Sequence, residues 1–167
     1  MSLLNKKIIA LFFSLLALAS VAVADVKVGS PFPDLGTFSL EGTLPDTTGR
    51  VVLLDFWATW CAPCKASFPA YSAMQKELGD RGFTVIGVSV DKKQEEYAAF
   101  LKKMAPGFVT VRDGAQKLVS TVKVPGMATC YLIDRKGVLR EIHSQFHGDS
   151  TIKELREKIL KLLEEKP

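Results

Sequence analysis

Hydrophobic residues in this chain form short continuous runs that alternate with amphipathic segments. The runs Val51–Phe56, Phe83–Val90 and Thr129–Ile133 are almost wholly apolar. Such runs predict buried strands, because a strand covered on both faces lacks polar alternation. Apolar residues three and four positions apart predict helices over Ala62–Leu78 and Lys92–Met104. Strands that alternate with helices favour an α/β fold.

The C-terminal part of the chain predicts shorter elements. Phe108–Arg112 has the pattern of a short strand, and Gln116–Lys123 that of a short helix. Val138–Ser144 alternates between apolar and polar residues, which predicts the second arm of a hairpin. Thr151 and Glu154 have the spacing of a capping box, so we expect a final helix to begin there.

Two local patterns concern the remaining segments. Asp91 stands directly before the second predicted helix, which predicts an N-cap. Residues 25–49 are rich in Gly, Pro, Asp and Thr, and we expect an extended lead-in with short strands near Phe38–Leu40. All elements together predict one α/β domain over residues 25–167, with a central mixed sheet flanked by helices on both faces.

The first 24 residues have a different character. Lys6 and Lys7 precede an apolar run that ends near Ala19, and Ala22-Val23-Ala24 has the small-x-small pattern of a signal-peptidase site. This arrangement predicts a cleaved signal peptide over residues 1–24 and a secreted domain. An uncleaved membrane anchor is the alternative, which the short apolar run fits less well.

Two cysteines separated by two residues follow the first predicted strand. Cys61 and Cys64 stand at the start of the first helix, where unpaired N–H groups and the helix dipole stabilise a thiolate. A Cys-x-x-Cys pair in that position indicates reversible dithiol–disulfide exchange. The third cysteine, Cys130, lies within a predicted strand, and we expect a buried small hydrophobic residue, with a redox or metal-ligand role as the alternative.

Two residues near the cysteine pair add to this interpretation. Asp55 is the one carboxylate in an apolar strand, so burial should raise its pKa and let it accept a proton from Cys64. The alternative is an edge residue or one with a backbone partner. Trp60 directly precedes Cys61 and is expected to offer an apolar contact surface to a substrate.

Charge and residue spacing argue against three other functions. The 167 residues carry a net charge of +4, and the basic residues are mixed with acidic ones, so no nucleic-acid footprint is visible. His143 and His147 with the cysteine pair would formally make a zinc site, but the two halves are far apart in sequence. Peroxide reduction by a single cysteine fits poorly, since a second cysteine stands at resolving distance.

The segment FWATWCAPC, followed by a helix that contains Pro69, resembles the thioredoxin superfamily. More closely, the chain is similar to the secreted TlpA/ResA-type thiol–disulfide oxidoreductases. That resemblance implies a periplasmic or membrane-tethered monomer that reduces protein disulfides, often in cytochrome c maturation, with a membrane protein as electron donor. It also implies Cys61 as nucleophile, Cys64 as resolving thiol, and no cofactor or metal besides the dithiol itself.

The chain departs from this family pattern before the third apolar strand. The family has a cis-proline that follows a peptide-binding residue, whereas this chain reads Met127-Ala128-Thr129. The resemblance implies substrate binding by these three residues, and on that basis Ala128→Pro should raise activity on protein disulfides. Loss of the proline could also expose the thiols to Cu(I). Ser67 stands where relatives often have Glu.

Two alternatives to a reductase follow. The protein could be a binding module that holds Cu(I) or a partner protein through its cysteines with little turnover. It could also be a disulfide oxidase or isomerase, although Ala62-Pro63 resembles the dipeptide of reducing members more than that of strong oxidants.

Overall fold

A computed structural model describes residues 26–166, so the predicted leader over residues 1–24 lies outside the described part. In chain order the elements are β1 (Val51–Trp57), α1 (Ala62–Leu78), β2 (Phe83–Ser89), α2 (Gln94–Met104), β3 (Val109–Arg112), α3 (Lys117–Val122), β4 (Thr129–Ile133), β5 (Leu139–Ser144) and α4 (Asp149–Glu164). The predicted α/β class is confirmed. None of the helices in this part of the chain is long and apolar enough to cross a bilayer.

The strands form one mixed sheet in the order β3-β2-β1-β4-β5. β1 pairs in parallel with β2, and β2 with β3, whereas β4 runs antiparallel to both β1 and β5. β1 is therefore the central strand, and all seven of its residues are buried. This burial explains the continuous apolar run that the sequence shows.

Different groups of side chains pack against the two faces of the sheet. Trp57 packs its ring against Phe68 of α1 and Phe100 of α2, each with ring centroids 5.1 Å apart. On the opposite face, Phe56 lies 5.6 Å from Tyr131, which in turn lies 5.5 Å from Phe32 in the lead-in segment. Because side chains alternate along a strand, Asp55 points to the same face as Trp57, toward α1.

The prediction that Asp91 is the N-cap of the second helix is wrong. α2 begins at Gln94, and its N-cap residue Lys93 forms no side-chain capping bond. Asp91 instead accepts hydrogen bonds from Thr59 N and Thr59 Oγ1, at 3.0 and 2.8 Å, and from Ser89 Oγ at 2.7 Å. Its carboxylate is committed to the loop between β1 and α1, so it is not available to the helix.

The predicted capping box of the last helix is also wrong. α4 begins earlier, at Asp149, and its N-cap is Gly148 with φ of +70°. Thr151 is buried within the first turn, where its hydroxyl accepts a hydrogen bond from the backbone N–H of His147 at 3.1 Å. A glycine with positive φ and an acidic first-turn residue therefore begin this helix.

The lead-in contains no strand near Phe38–Leu40, contrary to the prediction. It forms a short 3₁₀ turn over Leu35–Thr37, in which Asp34 Oδ1 accepts the N–H of Gly36 at 2.9 Å. Its backbone forms two isolated β-bridges, Pro31 to Val138 and Glu41 to Arg112. The turn-forming Asp and Gly decide the local conformation here.

Candidate active site

Cys61 and Cys64 form a disulfide at the N-terminus of α1, with a sulfur–sulfur distance of 2.03 Å. Cys61 is the N-cap residue of the helix, and the backbone N–H of Cys64 donates to Cys61 Sγ at 3.3 Å. Pro63 occupies the first turn, where a missing N–H costs nothing. The helix end thus supplies a donor and a positive dipole to the sulfur of Cys61, which favours its thiolate.

Asp55 lies in the middle of β1 and is only 1% exposed. Its Oδ2 is buried and forms no hydrogen bond with any of the described residues. Burial raises the pKa of this carboxyl group well above its usual value, because water no longer solvates the charge. The alternative of an edge position is wrong, since β1 is the central strand of the sheet.

One backbone carbonyl connects Ala128 with the disulfide. The N–H of Ala128 donates to Phe56 O at 3.2 Å, and the same oxygen lies 4.0 Å from Cys64 Sγ. Ala128 is buried and has φ of +60°, in the left-handed region that favours glycine. Ala128, one of the substrate-binding residues that the family resemblance implied, therefore lies close to Cys64.

The other predicted contact residues differ in their exposure to solvent. Trp60 is 68% exposed, which is unusual for so large an apolar side chain. Met127 is half-buried against the core, whereas Thr129 is buried and donates its hydroxyl to Gly126 O at 2.8 Å. Trp60 is thus free to contact a substrate, and Thr129 fixes the loop that carries Met127.

Asp91 holds the loop that presents Trp60 and Cys61, a role that the sequence interpretation missed. Its hydrogen bonds to Thr59 reach the residue directly before Trp60. Arg112 supports this arrangement by donating to the carbonyl oxygens of Asp91 and Lys92, at 3.1 and 3.0 Å. The position of Asp91 shortly after β2 could have indicated this role, because the carboxyl ends of parallel strands meet at one edge of a sheet.

Polar side chains on the inner face of α1 were also missed. Ser67 donates its hydroxyl to the carbonyl oxygen of Cys64 at 2.8 Å, and it interacts with the hydroxyl of Tyr71. Tyr71 is buried near Cys130, which is itself 2% exposed, and burial raises the pKa of both groups. Spacings of three and seven residues from Cys64 place Ser67 and Tyr71 on one helix face, so helical periodicity could have shown them.

The two histidines lie on β5 and in the segment that follows it. His143 lies on β5 opposite Cys130, with its Nε2 2.7 Å from Glu141 Oε1. Across residues 26–166, no three His, Cys, Asp or Glu side chains are grouped so that they could hold a metal ion.

Comparison with known proteins places this site among thiol–disulfide oxidoreductases. Residues 28–142 match the AhpC/TSA family. The chain is 34% identical over 140 residues to thioredoxin-like protein YneN of Bacillus subtilis, covering 80% of this chain and 79% of that one. It is 29% identical over 133 residues to thiol-disulfide oxidoreductase ResA of Bacillus thuringiensis, covering 78% and 75%.

A solved structure agrees with these relatives. A chain named as the thiol:disulfide interchange protein DsbE of Chlorobium tepidum has a TM-score of 0.77 and 35% identity, covering 83% of this chain and 99% of that chain. The shared fold carries the Cys61–Cys64 pair at the helix start that the resemblance implied. The chain thus belongs to the thioredoxin-like AhpC/TSA family and is a thiol–disulfide oxidoreductase.

Proposed function

We propose that the protein reduces disulfide bonds in other proteins in the periplasm. The observation that carries this proposal is the pairing of Cys61, whose sulfur accepts a helix N-terminal N–H, with the exposed ring of Trp60 beside it. A stabilised thiolate next to an open apolar surface suits attack on a disulfide presented by a macromolecule. We expect the chain to act as a monomer.

In the first step the Cys61 thiolate attacks one sulfur of the substrate disulfide. A bond forms between Cys61 Sγ and that sulfur, and the other substrate sulfur leaves as a thiolate. The product is a mixed disulfide, which Cys64 is placed to attack because it lies one helical turn away on the same helix.

In the second step Asp55 accepts the proton of Cys64, directly or through one water molecule. The Cys64 thiolate then attacks Cys61 Sγ, the intramolecular disulfide forms, and the second substrate sulfur leaves. The substrate gains two electrons, which the dithiol loses. The raised pKa of Asp55 lies closer to the pKa of a thiol, which makes this proton transfer less unfavourable.

The periplasmic location is supported by the N-terminal sequence. Lys6 and Lys7, the apolar run after them and Ala22-Val23-Ala24 form a signal-peptide pattern. A reductase in an oxidising compartment needs a source of electrons, and we propose a membrane protein as the donor. N-terminal sequencing of the exported protein checks the cleavage site after Ala24.

We propose the paired cysteines of c-type cytochromes as one substrate class, on the strength of the family resemblance. These cysteines attach haem through a C-x-x-C-H segment and must be reduced when haem is added. An oxidised C-x-x-C-H peptide and a disulfide-bonded protein without this motif, offered in competition, would show whether the enzyme prefers it.

The decisive experiment is a redox titration of the protein in defined thiol buffers, with alkylation of the cysteines measured by mass. A two-electron transition near the roughly −270 mV of thioredoxin supports a reductase. A potential near about −120 mV contradicts the proposed direction and indicates an oxidase. Absence of a reversible transition, with Cu(I) bound to the purified reduced protein, indicates a binding module instead.

A further inference from the structure

Cys130 lies directly opposite Asp55 in the antiparallel pair of β1 and β4. Residues opposite each other in such a pair point to the same face, with their Cβ atoms about 5 Å apart. Both side chains are short and almost fully buried. The thiol of Cys130 is therefore the polar group that β4 places against the carboxyl group of Asp55.

Tyr71 completes this buried group from α1. Tyr71 is 2% exposed, and burial followed by the charges of nearby Asp55 and Cys130 raises the pKa of its hydroxyl. Ser67, one helical turn before Tyr71, donates its hydroxyl to the carbonyl oxygen of Cys64 at 2.8 Å. Polar side chains thus line the inner face of α1 from the resolving cysteine to Tyr71.

Asp55 Oδ2 needs a nearby hydrogen-bond donor during catalysis. In the disulfide form no described residue forms a hydrogen bond with this oxygen, which suits a neutral acid. When the carboxyl group is a carboxylate, the buried charge requires donors. Thiol and hydroxyl hydrogens can rotate without movement of heavy atoms, so Cys130 and Tyr71 can reorient toward it.

We propose that Tyr71 and Cys130 are positioning residues for Asp55, which stabilise its carboxylate form while Cys64 is deprotonated. This inference rests on the proposed role of Asp55 as proton acceptor. It assigns a function to the third cysteine that requires no additional redox step. It also explains why a tyrosine rather than a phenylalanine stands at a site where the ring packs against Phe108 and Phe146.

Other charged groups near this cluster define the necessary controls. β5 contributes His143 opposite Cys130, together with Glu141, and α4 contributes Lys158, which pairs with Glu141. The contact from His143 to Cys130 comes from its backbone N–H. His143→Gln keeps that contact and removes the imidazole, so it tests whether a protonated histidine is responsible for any titration observed.

The test is a carboxyl ¹³C NMR titration of Asp55 in the protein, with Asp55→Asn to assign the signal. Cys130→Val and Tyr71→Phe each remove a donor, and each should raise the pKa of Asp55 by about one unit. Cys130→Ser supplies a stronger donor and should lower it. Leu132→Val, on the same face of β4, is the packing control and should leave the titration unchanged.

The same variants are compared in the resolving step, measured as product release against pH. The midpoint of this profile should move with the pKa of Asp55, toward higher pH in Cys130→Val and Tyr71→Phe. An unchanged titration in both variants overturns the inference, and if Cys130→Val does not fold, Tyr71→Phe alone decides.

The two proposals fail differently. If Asp55→Asn abolishes the pH dependence but Cys130 and Tyr71 variants titrate like the wild type, only this inference is wrong. If Asp55→Asn keeps the pH dependence, Asp55 is not the proton acceptor, and both the proposed role of Asp55 and this inference are wrong.

Discussion

The backbone N–H of Ala128 donates a hydrogen bond to the carbonyl oxygen of Phe56, 3.2 Å away. The same carbonyl oxygen lies 4.0 Å from Cys64 Sγ. Proline at position 128 has no N–H and could not form this bond, and its ring fixes φ near about −65°. Ala128 has φ of +60°, so the loop beside the dithiol is built for a residue other than proline.

Ala128→Pro should therefore destabilise the protein, by about 2 kcal/mol or more, and lower exchange activity. This expectation reverses the gain that family resemblance alone implied, because the observed backbone cannot accept proline without rearrangement. Chemical denaturation and insulin-disulfide reduction measure the two effects.

Ala128→Gly is the matched control, since glycine adopts positive φ freely and keeps the N–H. We expect it to have stability within about 1 kcal/mol of the wild type. A more stable and more active Ala128→Pro variant would show that the loop adopts a second conformation in solution.

Replacement of each cysteine should separate their roles. Cys61→Ser should abolish exchange, because the sulfur at the helix N-terminus is the attacking atom. Cys64→Ser should accumulate mixed disulfides with substrates, since attack succeeds and resolution does not. Non-reducing gels and mass spectrometry detect the trapped species, and equal trapping by both variants would contradict the assignment.

The stability of the disulfide form should depend on pH through Asp55. Burial raises the pKa of Asp55 in the folded state, so the folded protein keeps a proton that the unfolded chain loses as pH rises. The free energy of unfolding therefore falls by about 1.4 kcal/mol per pH unit between the ordinary carboxyl pKa and the raised one. Below the ordinary pKa this contribution to stability is fully present.

Asp55→Asn removes that loss, so the variant should gain stability relative to the wild type as pH increases from 4 toward 8. Denaturation curves at several pH values measure the difference. Asp80→Asn, on an exposed turn after α1, serves as the control and should show a small, nearly constant difference. A constant difference for Asp55→Asn would mean that its carboxyl group is solvated.

Trp60→Ala should impair reduction of protein disulfides more than reduction of a small disulfide such as oxidised glutathione. The ring is 68% exposed, so its removal should change the free energy of unfolding by less than about 0.5 kcal/mol. Its loss should raise the KM for protein substrates, where apolar contact area matters.

Val28→Ala provides the comparison, because Val28 is another exposed apolar residue at 57% and lies in the lead-in rather than beside the cysteines. It should have wild-type kinetics. Equal losses with large and small substrates in Trp60→Ala would mean that the ring protects Cys61 rather than contacting the substrate.

Features that depend on continuous stretches of sequence were predictable. The apolar run through Val51–Phe56 indicated a central strand, and the cysteine pair after it indicated the helix start, because burial and helix geometry act locally. Burial of Cys130 was also predicted correctly. The same reasoning predicted that burial would raise the pKa of Asp55.

Features that depend on contacts across the sheet could not be predicted from local sequence patterns. Asp91 has the sequence position of a helix cap, but its bonds go to Thr59, which is adjacent only after β1 and β2 pair. Thr151 is a separate case, because its hydroxyl accepts a local hydrogen bond from the N–H of His147 instead of capping the helix. The partnership of Asp55 with Cys130 follows from the register of β1 and β4, which no local pattern specifies.

The central position of β1 has a consequence for the order in which the protein becomes chemically competent. The ribosome makes Asp55 and both paired cysteines well before β4, the strand that completes the burial of Asp55. Until Thr129–Ile133 pairs with β1, Asp55 remains hydrated and titrates like an ordinary carboxylic acid. A growing chain thus carries the paired cysteines before burial can raise the pKa of Asp55, the proton acceptor that we propose.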